Sequence, residues 1–173
     1  MSKMTPLTLK LIGRMQEVTF SILEYNALNL LHKECSGALN REWLERYFRV
    51  EDHDAQAFDD PETQVLADGG IILMAEIAGE IVGTGSLMKM EEGIYEVVKM
   101  AVTENWQGKG IGEQLLLALI ERARQKKARK LFIVSNTKLE PAIRLYRRHG
   151  FNDSAENHHS HYERGNITLE KQL

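Results

Sequence analysis

The segment Gln107-Gly108-Lys109-Gly110-Ile111-Gly112 places three glycines in six residues. That density lets a backbone turn sharply and bring its N–H groups against a ligand. A strand-like run, Ile94 to Val102, precedes it, and Ile111, Leu115, Ala118, Leu119 and Ala123 follow at helical spacing. The loop therefore opens a helix, whose first-turn N–H groups lack carbonyl partners and whose dipole favours an anion. Holding phosphate is the chemistry of such a junction.

Two phosphate loops fail on spacing. GxxxxGK[ST] would need Ser or Thr after Lys109, where Gly110 stands. GxGxxG starting at Gly108 would need Gly at position 113, which is Glu113, and it would need to follow a first N-terminal strand. Nucleotide hydrolysis and NAD binding are both disfavoured.

What remains is QxxGxG, formed by Gln107, Gly110 and Gly112. It resembles the acetyl-CoA pyrophosphate loop of the GNAT superfamily of N-acetyltransferases. The preceding YEVVKMAV is similar to that superfamily's central strand, and AIRLYRRHGF, with Tyr146 and Gly150-Phe151, resembles its helix-to-strand signature. Leu39-Asn40-Arg41-Glu42-Trp43 and Tyr162-Glu163-Arg164 resemble segments of a bacterial-type GNAT group, so the likeness runs over roughly residues 18–172.

The resemblance implies a set of roles. Gln107, Gly108, Lys109, Gly110, Ile111 and Gly112 would hold the cofactor's pyrophosphate. The backbone of Met100, Ala101 and Val102 would bind the pantetheine arm and face the thioester, and Asn136 would contact the cofactor or else close a strand-end turn. Tyr146 would lie near the sulfur and protonate the leaving thiolate; its ordinary alternative is an aromatic filling the core. Glu96 matches a carboxylate that takes the substrate proton, or is a plain strand glutamate. A base is useful because an amine of pKa near 10 costs up to about 4 kcal/mol to deprotonate at neutral pH. Tyr162 and Arg164 are candidates for the acceptor pocket, where a guanidinium can grip the carboxylate of an amino-acid acceptor.

These residues need a scaffold. Val18, Phe20 and Ile22 alternate with polar residues as a strand does, after an N-terminal arm at 1–16. Helices are predicted over Tyr25–Glu34 and from Asn40, which can cap a turn. Six carboxylates between Glu51 and Glu62 either attract a cationic substrate or solvate a loop. Gly69-Gly70 introduces IILMAEI, Ala78-Gly79-Glu80 turns it into EIVGTGSLMKM, and Gly93 leads to the third strand, an antiparallel meander over 71–102. The helix after the Gly-rich loop feeds the apolar strand LFIVS at 131–135. Pro141 starts a further helix that stops at Gly150, and strands are expected near Phe151 and over Asn166–Leu173. The resulting α/β (α+β) fold has a mixed, mostly antiparallel sheet flanked by helices. The resemblance adds a splayed parallel strand pair binding acetyl-CoA, in one domain over 17–173.

Composition narrows the function. With 22 basic and 25 acidic side chains the net charge is −3, which gives no general reason for nucleic-acid binding. Cys35 is the only cysteine, so neither an internal disulfide nor a thiolate zinc cluster forms. His158, His159 and His161 are read as loop histidines, and acetyl transfer asks for no metal. No apolar run approaches the ~20 residues of a membrane span, and no secretory h-region opens the chain; a cytoplasmic protein is expected. The reading is an enzyme moving acetyl from acetyl-CoA to a primary amine, small molecule or amino acid, with a homodimer compatible with the resemblance. A non-catalytic acetyl-CoA sensor or interaction module, and a protein lysine or N-terminal acetyltransferase, stay open.

Overall fold

Strict alternation in the central strands sets the layers. Ile71, Leu73, Ala75 and Ile77 pack in one core cluster with Leu115, Leu119, Ile143 and Tyr146, while Ile72 and Met74 pack on the other face with Tyr25, Leu39 and Val65. The computed structural model describes residues 7–10, 17–155 and 163–173. Their strands are β1 (Leu7–Lys10), β2 (Glu17–Glu24), β3 (Ile71–Ile77), β4 (Glu80–Glu91), β5 (Ile94–Val102), β6 (Lys130–Ser135), β7 (Asn152–Asp153) and β8 (Ile167–Gln172). They form one sheet in the order β1-β2-β3-β4-β5-β6-β8-β7. The β5/β6 pair is parallel and the other pairs are antiparallel. This is the mixed, mostly antiparallel sheet expected from the sequence.

Helices α3 (Ile111–Gln125) and α4 (Glu140–Arg148) cover one face; α1 (Leu30–Tyr47) covers the other, with α2 (Asp52–Asp59) packed beside it. Helix α3 buries Ile111, Leu115, Leu116, Leu119, Ile120 and Ala123. Each such leucine contributes about 1.5–3 kcal/mol of burial.

Two local expectations are corrected. The helices predicted over Tyr25–Glu34 and from Asn40 are one continuous α1. Its cap is Asn29, whose side chain accepts from the Leu31 N–H at 3.1 Å, and Tyr25 precedes it. Asn40 sits mid-helix and fully inside, where Nδ2 donates to the Ser36 carbonyl at 3.0 Å, so its polar group is satisfied without ending the helix. The acidic stretch is not a plain loop. It forms α2, which opens with a reciprocal Glu51/Asp54 capping box, followed by a π-helical turn at Glu62–Leu66. At the other end of the chain, Leu7–Lys10 adds the edge strand β1.

Two irregularities prepare the site. Strands β5 and β6 pair through Ile94/Lys130, Tyr95/Leu131 and Glu96/Phe132 and then part. Beyond that point Ile133, Val134 and Ser135 pair with β8, and Val97, Val98, Ala101 and Val102 with β4. Within β5 the register to β4 slips, since Val98 faces Ser86 but Ala101 faces Thr84, and Lys99 takes a left-handed φ of 54°. This bulge re-aims the strand just where β6 leaves it.

Candidate active site

The gap between β5 and β6 is a cavity of about 320 Å³. Strand β5 lines it from Glu96 to Val102, β6 from Ile133 to Ser135, α1 with Leu44 and Tyr47, and α4 with Ala142 and Tyr146. Alternation along β5 puts Tyr95 and Val97 in the α3/α4 core, hence Glu96 and Val98 on the α1 side. Tyr146 belongs to the α3/α4 core. The two residues reach one cavity from opposite faces because the strands between them have separated.

Neither side chain has a hydrogen-bond partner among the described residues. Glu96 is 6% exposed, and burial pushes its carboxyl up to about 7, against the pull of the Lys99 charge. Tyr146 is 8% exposed, packs against Phe151 with ring centroids 6.1 Å apart, and burial pushes its hydroxyl up to about 12. At neutral pH the phenol is protonated and the carboxyl sits near its midpoint.

Beyond β5, a short turn at Glu104–Trp106 leads into the Gly-rich loop. Gly108 and Gly110 hold φ of 70° and 83°, a conformation that disfavours other residues, and Gly110 caps α3. Gln107 Nε2 donates to the Val102 carbonyl at 2.8 Å and ties the loop to the strand. Lys109 Nζ lies 4.3 Å from the centre of the Trp106 ring, and Ile111 is buried in the core. A Cβ at Gly112 would meet the Val102 side chain at an ordinary 3.7 Å.

A buried ionic network forms the wall beside Glu96. Asp54, with no exposed surface, accepts from Lys99 Nζ at 2.6 Å and from Arg164 Nη1 and Nη2 at 2.6 and 2.9 Å. Arg164 Nη1 also donates to Glu51 at 3.0 Å. Burial alone would raise the Asp54 carboxyl; the hydrogen bonds from Arg164 and the Lys99 charge outweigh it and hold the carboxyl below the usual range. Asn136 lines the cavity, but its Nδ2 donates to the Arg164 carbonyl at 2.6 Å and its Oδ1 accepts from the Lys138 N–H at 2.9 Å.

Residues 38–151 match the acetyltransferase (GNAT) family. The chain is a GNAT-family N-acetyltransferase. Over 109 residues the enzyme is 29% identical to the uncharacterized N-acetyltransferase YvbK of Bacillus subtilis, covering 61% of this chain and 70% of that protein. The fold is similar to that of a GNAT-family acetyltransferase from Staphylococcus aureus Mu50, with a TM-score of 0.79 at 20% identity over 89% of this chain and 99% of that one. It is also similar to a GNAT acetyltransferase from Elizabethkingia anophelis with acetyl-CoA bound, at a TM-score of 0.66, 23% identity, and 89% and 98% coverage.

Of the residues singled out in the sequence, the cavity of this N-acetyltransferase gathers Glu96, Met100, Ala101, Val102, Gln107, Asn136, Tyr146 and Arg164. Gly108 to Gly112 stand next to it at the start of α3. Tyr162 and the three histidines lie outside the described residues. Among those described, no group of three or more His, Cys, Asp or Glu is arranged to hold a metal, and no helix is long and apolar enough to cross a membrane. Sequence reasoning missed Asp54 and Lys99. A lysine inside the apolar run of β5 was the available signal, since a charge there needs a buried partner.

Proposed function

We propose that the enzyme transfers acetyl to a primary amine by direct attack in a ternary complex. The observation that carries this is one cavity through the β5/β6 gap with Glu96 and Tyr146 on it. Acetyl-CoA supplies the acetyl thioester. The chain's own residues fit it: a left-handed Gly108/Gly110 turn and the N-terminus of α3 for a pyrophosphate, and the part of β5 at Met100, Ala101 and Val102 for an extended arm. Gln107 and Lys109 hold the loop against β5 and Trp106. Ile111 anchors it in the core, and Gly112 leaves room beside Val102. Asn136 fixes the turn that carries Arg164.

Glu96, near its midpoint at neutral pH, takes the proton of the attacking ammonium. The freed amine then attacks the thioester carbonyl. As the C–S bond breaks Tyr146 gives its proton to the sulfur, and the second proton lost by the nitrogen returns through solvent to the phenolate, while Glu96 passes the first to bulk water. A phenol pushed to about 12 is a proton donor throughout the physiological range.

Thermal unfolding with acetyl-CoA, CoA, NAD and ATP in parallel tests the cofactor assignment. A ligand at about 100 times its Kd adds roughly 2.7 kcal/mol, or about 5–10 °C for a chain of this size. Shifts with the two CoA species alone support the reading. A larger shift with NAD or ATP overturns it. Thiol release on adding an amine separates turnover from mere sensing.

A further inference from the structure

Resting on the acetyl-transfer reading above, we propose that the acceptor is a monoamine on an apolar body without a carboxylate, of the arylalkylamine or alkylamine class, seated between α1 and β5. Helix α1 and its end give the cavity Leu44, Tyr47 and Phe48, and β5 gives Val98 on the same side of the sheet. Leu44 is fully buried and Tyr47 is 57% exposed, so the apolar wall runs from the interior to solvent. An aromatic or aliphatic body is what such a wall desolvates favourably.

The charges on that side argue in the same direction. Lys99 and Arg164 are both hydrogen-bonded to Asp54, and Arg164 also to Glu51, so among the described residues two cations meet two carboxylates inside the wall. The guanidinium offered by the sequence for an acceptor carboxylate already grips a carboxylate of the protein. An amino-acid acceptor would bring a further anion into this buried network, at the cost of desolvating it without a new partner. Lys138, a further cation on the cavity, is exposed and enters from the loop before α4. Glu96 is the cavity carboxyl without an ion-pair partner among the described residues, which suits one ammonium and gives a polyamine no second anchor.

The test uses the full chain with saturating acetyl-CoA and four acceptors: phenethylamine, phenylalaninol, L-phenylalanine and spermidine, followed by thiol release and product mass. Phenethylamine and phenylalaninol are expected to exceed L-phenylalanine in kcat/KM by on the order of 100-fold, because the carboxylate alone separates the last two. Equal or faster turnover of L-phenylalanine, or a preference for spermidine, overturns the proposal. So does absence of turnover with all four when acetyl-CoA still raises the melting temperature. Absence of that shift is instead failure of the acetyl-CoA reading itself. Tyr47→Ser is expected to raise KM for phenethylamine several-fold with acetyl-CoA affinity unchanged; an unmoved KM places the acceptor elsewhere and overturns the proposed seat.

Discussion

Arg164 holds Asp54 with both arms of its guanidinium, at 2.6 and 2.9 Å, where Asp54 has no exposed surface. The pair joins α2 to the segment before β8, and Lys99 extends the link to the bulge of β5. Asn136 donates to the Arg164 carbonyl and so ties the end of β6 into the same assembly. The mouth of the β5/β6 gap is thus braced by charge from three distant parts of the chain.

Asp54→Ala should therefore destabilise the protein by about 3–5 kcal/mol, since it removes the buried carboxylate that Lys99 and Arg164 share and leaves Glu51 on Arg164 alone. Urea unfolding at neutral pH measures this. The pH dependence follows from the lowered Asp54 carboxyl: its stabilisation is full above the unfolded value of 3.8 and is lost as pH falls through the lower folded value. Asp54→Ala should accordingly flatten the acid limb of stability. A wild-type-like midpoint and acid limb would mean that the network adds nothing.

The meander β3–β5, α3 and α4 were legible because each buries a periodic face against its neighbours. The Gly-rich loop was legible because left-handed φ at Gly108 and Gly110 leaves a mark in residue type. Helix α1 was read as two, since Asn40 looks like a cap in sequence and becomes a core group only when its amide turns back on Ser36. The acidic run hid Asp54 for a different reason. Its partners stand 45 and 110 residues away, and nothing local distinguishes a carboxylate that meets them from one in water. The same distance hid the fact that Arg164 is already engaged.

Tyr146→Phe removes a hydroxyl that makes no hydrogen bond among the described residues, so the fold should keep its stability. If the phenol protonates the thiolate, kcat should fall by about 10²–10⁴-fold. Acetyl-CoA affinity by calorimetry should stay within twofold or so. Unchanged turnover would leave Tyr146 as a core aromatic.

Gly110→Val and Gly112→Ala separate fold from ligand. At Gly110 a β-branched residue must hold φ 83°, costing roughly 1–2 kcal/mol of stability besides crowding the loop. At Gly112 the new methyl makes an ordinary contact with Val102 in a helical first turn, so the melting temperature should hold or rise. Acetyl-CoA affinity is expected to fall in both, by about tenfold if one close phosphate contact is lost. Full affinity in Gly112→Ala would remove this glycine from the binding loop.

Glu96 links activity and stability with opposite signs. The folded protein keeps its proton up to about pH 7, while the unfolded chain releases it near 4.5. Stability from this group is therefore full below 4.5 and declines as pH rises through 7, by on the order of 3 kcal/mol. Glu96→Gln retains the neutral shape, so it should match the wild type near pH 4 and exceed it in urea midpoint above pH 7. Catalysis runs the other way. Wild-type kcat/KM should climb with pH through about 7 as the base ionises, whereas Glu96→Gln should lose that limb and about 10²–10⁴-fold of rate. A more stable variant that keeps both rate and limb would assign proton removal to another group while leaving the burial argument intact.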